Sequence, residues 1–188
     1  MLVLNNKIIS YVDKCKCQYI NVQKCKKPKV QFLLAYKMAM KTPMEVLKSF
    51  DYIEKLIGTK NFKKLFEVIL TDQGSEFLNR NILEKSKNSN NLKRCKIFYC
   101  EAGTPTQKAK IENIHRLVRR VYTKGSDLSN VTQEDLDELV SNINSLKKKS
   151  YGNKTPNEMF IYNYGKLLLD KLNIIVYDAK DVILNKLT

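Results

Sequence analysis

The sequence predicts an α/β fold: a mixed five-stranded sheet that opens with antiparallel strands and carries helices on both faces. Three observations point there. Short apolar or β-branched runs come early and in succession, later runs alternate with segments of helical period, and helix starts are written as capping sequences.

Taken in order, the strand candidates are Ile8 to Val12, Tyr19 to Val22, Val30 to Tyr36, Phe66 to Leu70 and Lys96 to Cys100. Between the third and fourth, Thr42-Pro43-Met44-Glu45 supplies a hydroxyl cap, a proline at the first helical position and an early acidic residue. Val46, Leu47, Phe50, Ile53, Leu56 and Ile57 then recur at helical spacing, and Gly58 is expected as a left-handed stop. The stretch Lys85 to Arg94, rich in Asn, Ser and Lys, has no apolar period and reads as a mobile loop. Gly103 to Lys110 reads as a loop entering a helix whose apolar stripe is Ile111, Ile114, Val118 and Val121. Thr132-Gln133-Glu134-Asp135 starts a further helix with the stripe Leu136, Leu139, Val140, Ile143 and Leu146, and Thr155-Pro156-Asn157-Glu158 starts another. Beyond Tyr164 lie apolar clusters, Leu167 to Leu172, Ile174 to Tyr177 and Val182 to Leu187, that could add a strand or a helix. The expected division is a core over residues 1–165 and a C-terminal extension over 166–188.

Composition narrows the function. The 188 residues are 43% hydrophobic, enough for one domain with its own core, and 34 Lys and Arg against 19 Asp and Glu leave a formal net charge of +15. That excess favours a polyanionic partner. Scattered lysines also merely solubilise a surface, so bulk charge alone decides little. No run approaches the roughly 18 consecutive apolar residues needed to span a bilayer, so no membrane partner is expected. The first residues lack the pattern of a signal peptide, and a cytoplasmic address follows by default. Five cysteines, an odd number in a chain of this size, suit a reducing compartment. Cys15, Cys17 and Cys25 lie close in sequence, but without paired knuckles and with the lone histidine far away at His115 they do not make a zinc site.

The residues that could carry chemistry are acidic. Phe66 to Leu70 is a buried strand leading into Thr71-Asp72-Gln73-Gly74, so it delivers the Asp72 carboxylate at its C-terminal end, the edge where α/β sheets bind ligands. An ordinary Asx-turn would look the same. Glu112 lies off the apolar stripe of its helix, on a strip with Lys108, His115, Arg116 and Arg119. A plain Glu112–Arg116 surface pair, worth about 0.3 to 0.5 kcal/mol, is the bland reading of that strip. Asp13 ends the opening strand. If that strand runs beside the one ending at Asp72, the three carboxylates meet at one sheet edge and offer the oxygen ligands that a hard cation such as Mg²⁺ requires. A pair of such ions activates a water or 3′-hydroxyl and stabilises the leaving oxygen of an in-line phosphoryl displacement.

The runs LFEVILTDQGSEF, GTPTQKAKIENIHRLVRRVYTKGSDLSNVTQEDL and YGNKTPNEMF, in that order, resemble the catalytic core of bacterial transposases of the insertion-sequence-thirty family, within the retroviral-integrase-like superfamily. The similarity extends over roughly Lys26 to Phe160. The resemblance implies an RNase H-like fold and a triad of two Asp and one Glu that uses Mg²⁺ or Mn²⁺ to cut transposon ends and join them to target DNA. It places Asp72 as the second aspartate and Glu112 as the glutamate, 40 positions later. Asp13, 59 positions before Asp72, stands for the first aspartate, although Tyr11-Val12-Asp13-Lys14-Cys15 replaces the family's Trp-Glu-x-Asp-Thr surroundings. Asn113, Arg116, Arg119, Arg120 and Lys124 fall in the family's basic, DNA-facing segment, with Lys108, Lys110 and His115 beside them. The family further implies a dimer or higher synapse on bacterial, nucleoid-associated DNA. Its helix-turn-helix module has no room before this core, so the expectation is a shortened transposase. The alternative is a catalytically inactive, basic DNA-binding remnant.

Overall fold

The structure, a computed structural model, describes residues 2–4, 7–12, 32–71, 74–90, 92–99, 117–122 and 130–184. Its order is β1 (Leu2–Leu4), β2 (Lys7–Val12), β3 (Phe32–Lys37), α1 (Pro43–Ile57), α2 (Thr59–Leu65), β4 (Val68–Thr71), α3 (Arg80–Leu83), β5 (Lys96–Tyr99), α4 (helical residues 117–121), α5 (Gln133–Asn144), α6 (Pro156–Tyr164) and α7 (Lys166–Asp170).

The mixed α/β class is met. Among the described residues the strands form two ladders, an antiparallel β1-β2-β3 and a parallel β4-β5. The expected single sheet of five strands is therefore seen as three plus two. β1 was not anticipated, and the expected strand Tyr19 to Val22 lies outside the described residues. β2 pairs with β1 over Lys7–Ile9 and with β3 along its whole length, and no described ladder joins it to β4. The neighbour relation that would carry Asp13 to the end of β4 is thus not among the described pairings.

α5 covers the outer edge of β3 with side-chain amides. Asn144 accepts from Leu33 N–H (2.9 Å) and donates to Leu33 C=O (2.8 Å), while Gln133 accepts from Lys37 N–H (2.8 Å) and donates to Ala35 C=O (3.0 Å). Three helical turns separate Gln133 from Asn144, so α5 runs antiparallel to β3 and satisfies polar groups that a further strand would otherwise claim.

The capping sequences act as read. The hydroxyls of Thr42, Thr132 and Thr155 each accept from the N–H three residues on, and the last two close reciprocal capping boxes with Asp135 and Glu158. Val46, Leu47, Phe50, Ile53 and Ile57 are buried on α1, and Leu136, Leu139, Val140 and Ile143 on α5. Gly58 has φ +80° but ψ 151°, so it is not a left-handed stop; it turns α1 directly into α2, a helix the sequence reading passed over. One core joins β3, α1, α2, the inner face of β4-β5, Val118 and Val121 of α4, α5, α6 and α7, with Phe32 stacked on Phe160 at 4.4 Å. On β4-β5 the inner Ile97 is 1% exposed while the outer Val68 and Phe98 are 44% and 40% exposed. Among the described residues, helices cover one face of this pair, not both.

Two further expectations change. The Lys85 to Arg94 stretch is tied down rather than mobile: Lys85 bridges Lys93, Ser86 N–H donates to Leu92 C=O (2.9 Å), Arg94 N–H donates to Glu84 C=O (2.7 Å), and Ser86 and Arg94 are fully buried. The C-terminal segment forms α7 and then runs extended along α5, where Ile175 N–H donates to Ser141 Oγ (3.0 Å), Tyr177 N–H to Ser145 Oγ (3.0 Å) and Ile183 N–H to Asn142 Oδ1 (2.8 Å). Leu168, Leu169, Leu172 and Ile174 are buried in the main core.

Glu84 closes the outer edge of β5, accepting from Ile97 N–H at 2.7 Å while Lys93 Nζ lies 2.7 Å from its other oxygen. Burial pushes this carboxyl up, but the Lys93 ammonium, the Ile97 N–H and the Arg80 guanidinium outweigh it and hold Glu84 below the usual carboxylate range. A carboxyl lowered on folding stabilises the native state above its unfolded pKa and loses that contribution as pH falls through the folded one. The stability advantage of wild type over Glu84→Gln in urea unfolding is therefore expected to be constant near neutrality and to shrink below about pH 4.3. An advantage that grows on acidification would contradict this.

Candidate functional site

β4 and β5 run parallel in the register Val68–Lys96, Ile69–Ile97, Leu70–Phe98 and Thr71–Tyr99, so both strands end together. Thr71 is 1% exposed and its Oγ1 has no hydrogen-bond partner among the described residues; Asp72 is the next residue in the chain. The strand is Val68–Thr71 and not the buried run Phe66 to Leu70 that the sequence suggests: Val68 is exposed on the outer face, Ile69 is half-buried, and Thr71 is buried at the C-terminal end.

Gly74 opens the 3₁₀ turn Ser75–Phe77. Phe77 is buried, its N–H donates to Gly74 C=O (2.9 Å), and its own carbonyl accepts from the Tyr99 hydroxyl at the end of β5 (2.6 Å). The turn is thereby fastened to the end of β5. Glu76, at the middle of the turn, is 2% exposed, and its Oε2 lies 3.4 Å from Lys41 Nζ. A Cβ on residue 74 would meet that oxygen at 2.5 Å, so any other residue here would push the Glu76 carboxylate from its place. The Gly74 φ of −60° makes no demand for glycine.

α4 docks through Val118 and Val121, as the apolar stripe anticipated, and leaves Arg119 and Arg120 exposed. These two are the predicted DNA-facing residues that the structure describes. Asp13, Asp72 and Glu112, together with Lys108, Lys110, Asn113, His115, Arg116 and Lys124, lie outside the described residues. Among the described residues no group of three or more His, Cys, Asp or Glu is gathered as a metal site. The donor set expected from the sequence, Asp13, Asp72 and Glu112, consists of carboxylates only, a chemistry that fits a hard divalent cation and not a thiolate-seeking one. Cys95 offers no nucleophile: it is buried, and burial pushes its thiol up to about 12. No described helix is long and apolar enough to cross a membrane.

Sequence reading missed Lys41 and Glu76. Glu76 stands in the same LFEVILTDQGSEF run as Asp72, but nothing in a one-dimensional pattern marks a carboxylate flanked by Ser75 and Phe77 as buried.

No family model matches the chain, and neither does a solved structure. Curated proteins do match. The chain is 29% identical over 129 residues to "Putative integrase ORF3" of Spiroplasma virus SpV1-R8A2 B, covering 69% of this chain and 37% of that protein. It is 28% identical over 102 residues to the transposase for insertion sequence element IS4351 of Bacteroides fragilis, covering 54% of this chain and 29% of that one. Over 64 residues it is 31% identical to transposase InsI for insertion sequence element IS30A of Escherichia coli (strain K12), covering 34% and 17%. The chain is similar to insertion-sequence transposases. This agrees with the resemblance read from the motifs. The chain spans 37% or less of the length of each of these three relatives, so the activity of a whole transposase is a proposal for this protein.

Proposed function

We propose that the chain is the catalytic core of a transposase, which cleaves DNA phosphodiesters and transfers strands during transposition. The observation that carries this reading is the similarity to transposases and an integrase, joined to a parallel strand pair, packed on the core by one face, whose first strand ends immediately before Asp72. Under it, the two ladders are parts of one RNase H-like five-stranded sheet, residues 1–165 are the core and 166–188 an extension. Asp13, Asp72 and Glu112 would hold the metal. Mg²⁺ or Mn²⁺, when bound, would activate the attacking oxygen and stabilise the leaving one.

The work of the rest of the chain is positional. Arg119 and Arg120, exposed on a helix anchored by Val118 and Val121, would grip backbone phosphates, with Lys108, Lys110, Asn113, His115, Arg116 and Lys124 extending the strip. Such contacts orient DNA without reading its sequence and weaken with salt. The family's habit of working as a dimer or higher synapse, on DNA in the bacterial cytoplasm, belongs to the same proposal.

Supercoiled plasmid incubated with the chain and Mn²⁺ is expected to be nicked. Asp72→Ala is expected to reduce nicking to background while plasmid binding persists. Equal nicking by the two proteins would remove the claim of catalysis by this residue. Binding without nicking by the wild type would establish the alternative, an inactive DNA-binding remnant.

A further inference from the structure

We infer that Lys41 is a contact for the DNA backbone at the end of β4, and that Glu76 is the residue that positions it. This rests on the proposed function and adds to its site an element from the other side of the sheet end, ahead of α1.

A buried carboxylate is costly unless its oxygens are paired. Glu76 is 2% exposed, yet among the described residues Oε2 has no hydrogen-bond partner, and Lys41 Nζ lies 3.4 Å from it, in ion-pair range. Packing holds the carboxylate there. Phe77 anchors the turn in the core, the Tyr99 hydroxyl fixes the Phe77 carbonyl, and Gly74 is bare so that the carboxylate can lie over it. A stability role alone would be served as well by an apolar side chain of this size, which would leave no orphaned oxygen.

The arrangement does something else. Lys41 is 55% exposed and sits in the bend that leads to the Thr42 cap of α1, so its stem is fixed at one end by the helix start and its ammonium at the other by Glu76. An ammonium has three donors, and its 3.4 Å approach to Glu76 is an ion pair that uses none of them in a hydrogen bond, which leaves them for solvent or a ligand. A cation immobilised this way loses less side-chain entropy on meeting a phosphate than a free surface lysine does. The place it is held is the turn joined to β4 two residues beyond Asp72, where the reacting phosphodiester would lie. The ligand class is therefore a nucleic-acid phosphate.

The test is duplex DNA binding without divalent metal, measured from low to moderate salt, for wild type, Lys41→Arg, Lys41→Gln, Glu76→Gln and the double variant Lys41→Gln/Glu76→Gln. Melting curves are recorded first, so that only folded proteins are compared. Lys41→Gln is expected to lower the slope of log affinity against log salt by about 0.9, the value of one phosphate contact, and Lys41→Arg to keep it. In the Glu76→Gln background the Lys41→Gln change is expected to cost less of the slope, because the ammonium is no longer held in place. If wild type binds duplex and Lys41→Gln has an unchanged slope, Lys41 is not a contact and the inference falls. Equal losses in both backgrounds would leave Lys41 as a contact and remove Glu76 as its positioning residue. A wild type that binds no duplex would instead overturn the proposed function itself.

Discussion

Replacing Arg94 with Met is expected to cost about 3 to 5 kcal/mol of folding free energy, the usual consequence of removing one partner of a buried ion pair. Arg94 is completely buried. Its Nη1 donates to Asp51 Oδ1 (2.6 Å) and Glu54 Oε2 (2.9 Å), its Nε donates to Leu83 C=O (2.9 Å), and its guanidinium lies 5.5 Å and 5.4 Å from the ring centres of Phe50 and Phe62. Glu54 is itself fully buried, and its other oxygen accepts from Ser86 Oγ. Met fills much of the volume but leaves the Glu54 charge without its counter-ion. The effect should therefore be partly reversed by adding Glu54→Gln, which removes the stranded charge; urea unfolding of the two single variants and the double variant measures this. Additive losses would mean that the pair is not coupled as the geometry requires. A deficit of this size is a large share of a domain's usual stability of about 5 to 15 kcal/mol.

The second large effect is expected at Asn144. Asn144→Ala strips both amide contacts from Leu33, leaving a buried N–H and a buried C=O without partners on the open edge of β3. At about 1 to 3 kcal/mol for each such group, the loss should be about 2 to 6 kcal/mol. Asn144→Asp should be no better at neutral pH, because the oxygen that replaces Nδ2 would face the Leu33 carbonyl. Hydrogen exchange gives a local readout: the Leu33 amide should lose protection in both variants. A protected Leu33 amide in Asn144→Ala would show that another group covers this edge.

Both residues mark the limit of sequence reading. Arg94 falls in a stretch of Asn, Ser and Lys that has every feature of a solvent-facing loop, yet that stretch is pinned because one guanidinium is drawn under α1. A signal was present: Arg94 is one of five arginines among 34 basic residues, and Arg suits buried bidentate pairing in a way Lys does not. Glu54, three residues before Ile57 and four after Phe50, lies on the apolar stripe of α1 and is the other half of that signal. Gln133 and Asn144 gave none. A polar residue at either end of a helix looks like a surface residue until a strand edge is laid beside it.

The candidate site divides the same way. The capping runs at Thr42, Thr132 and Thr155, the stripes of α1 and α5, the docking of α4 through Val118 and Val121, and the strand leading to Asp72 were legible, because each depends on neighbours within a few residues. So was the similarity to transposases, which resides in contiguous motifs. Local chain geometry is written in local sequence. Tertiary structure alone decided that Glu76 is buried over Gly74 and holds Lys41, that α5 rather than another strand closes β3, and that the segment after α7 lies along α5 instead of adding a strand. Each of these joins groups far apart in the chain, and whether such groups meet is set by packing of the whole core, which no window of residues contains.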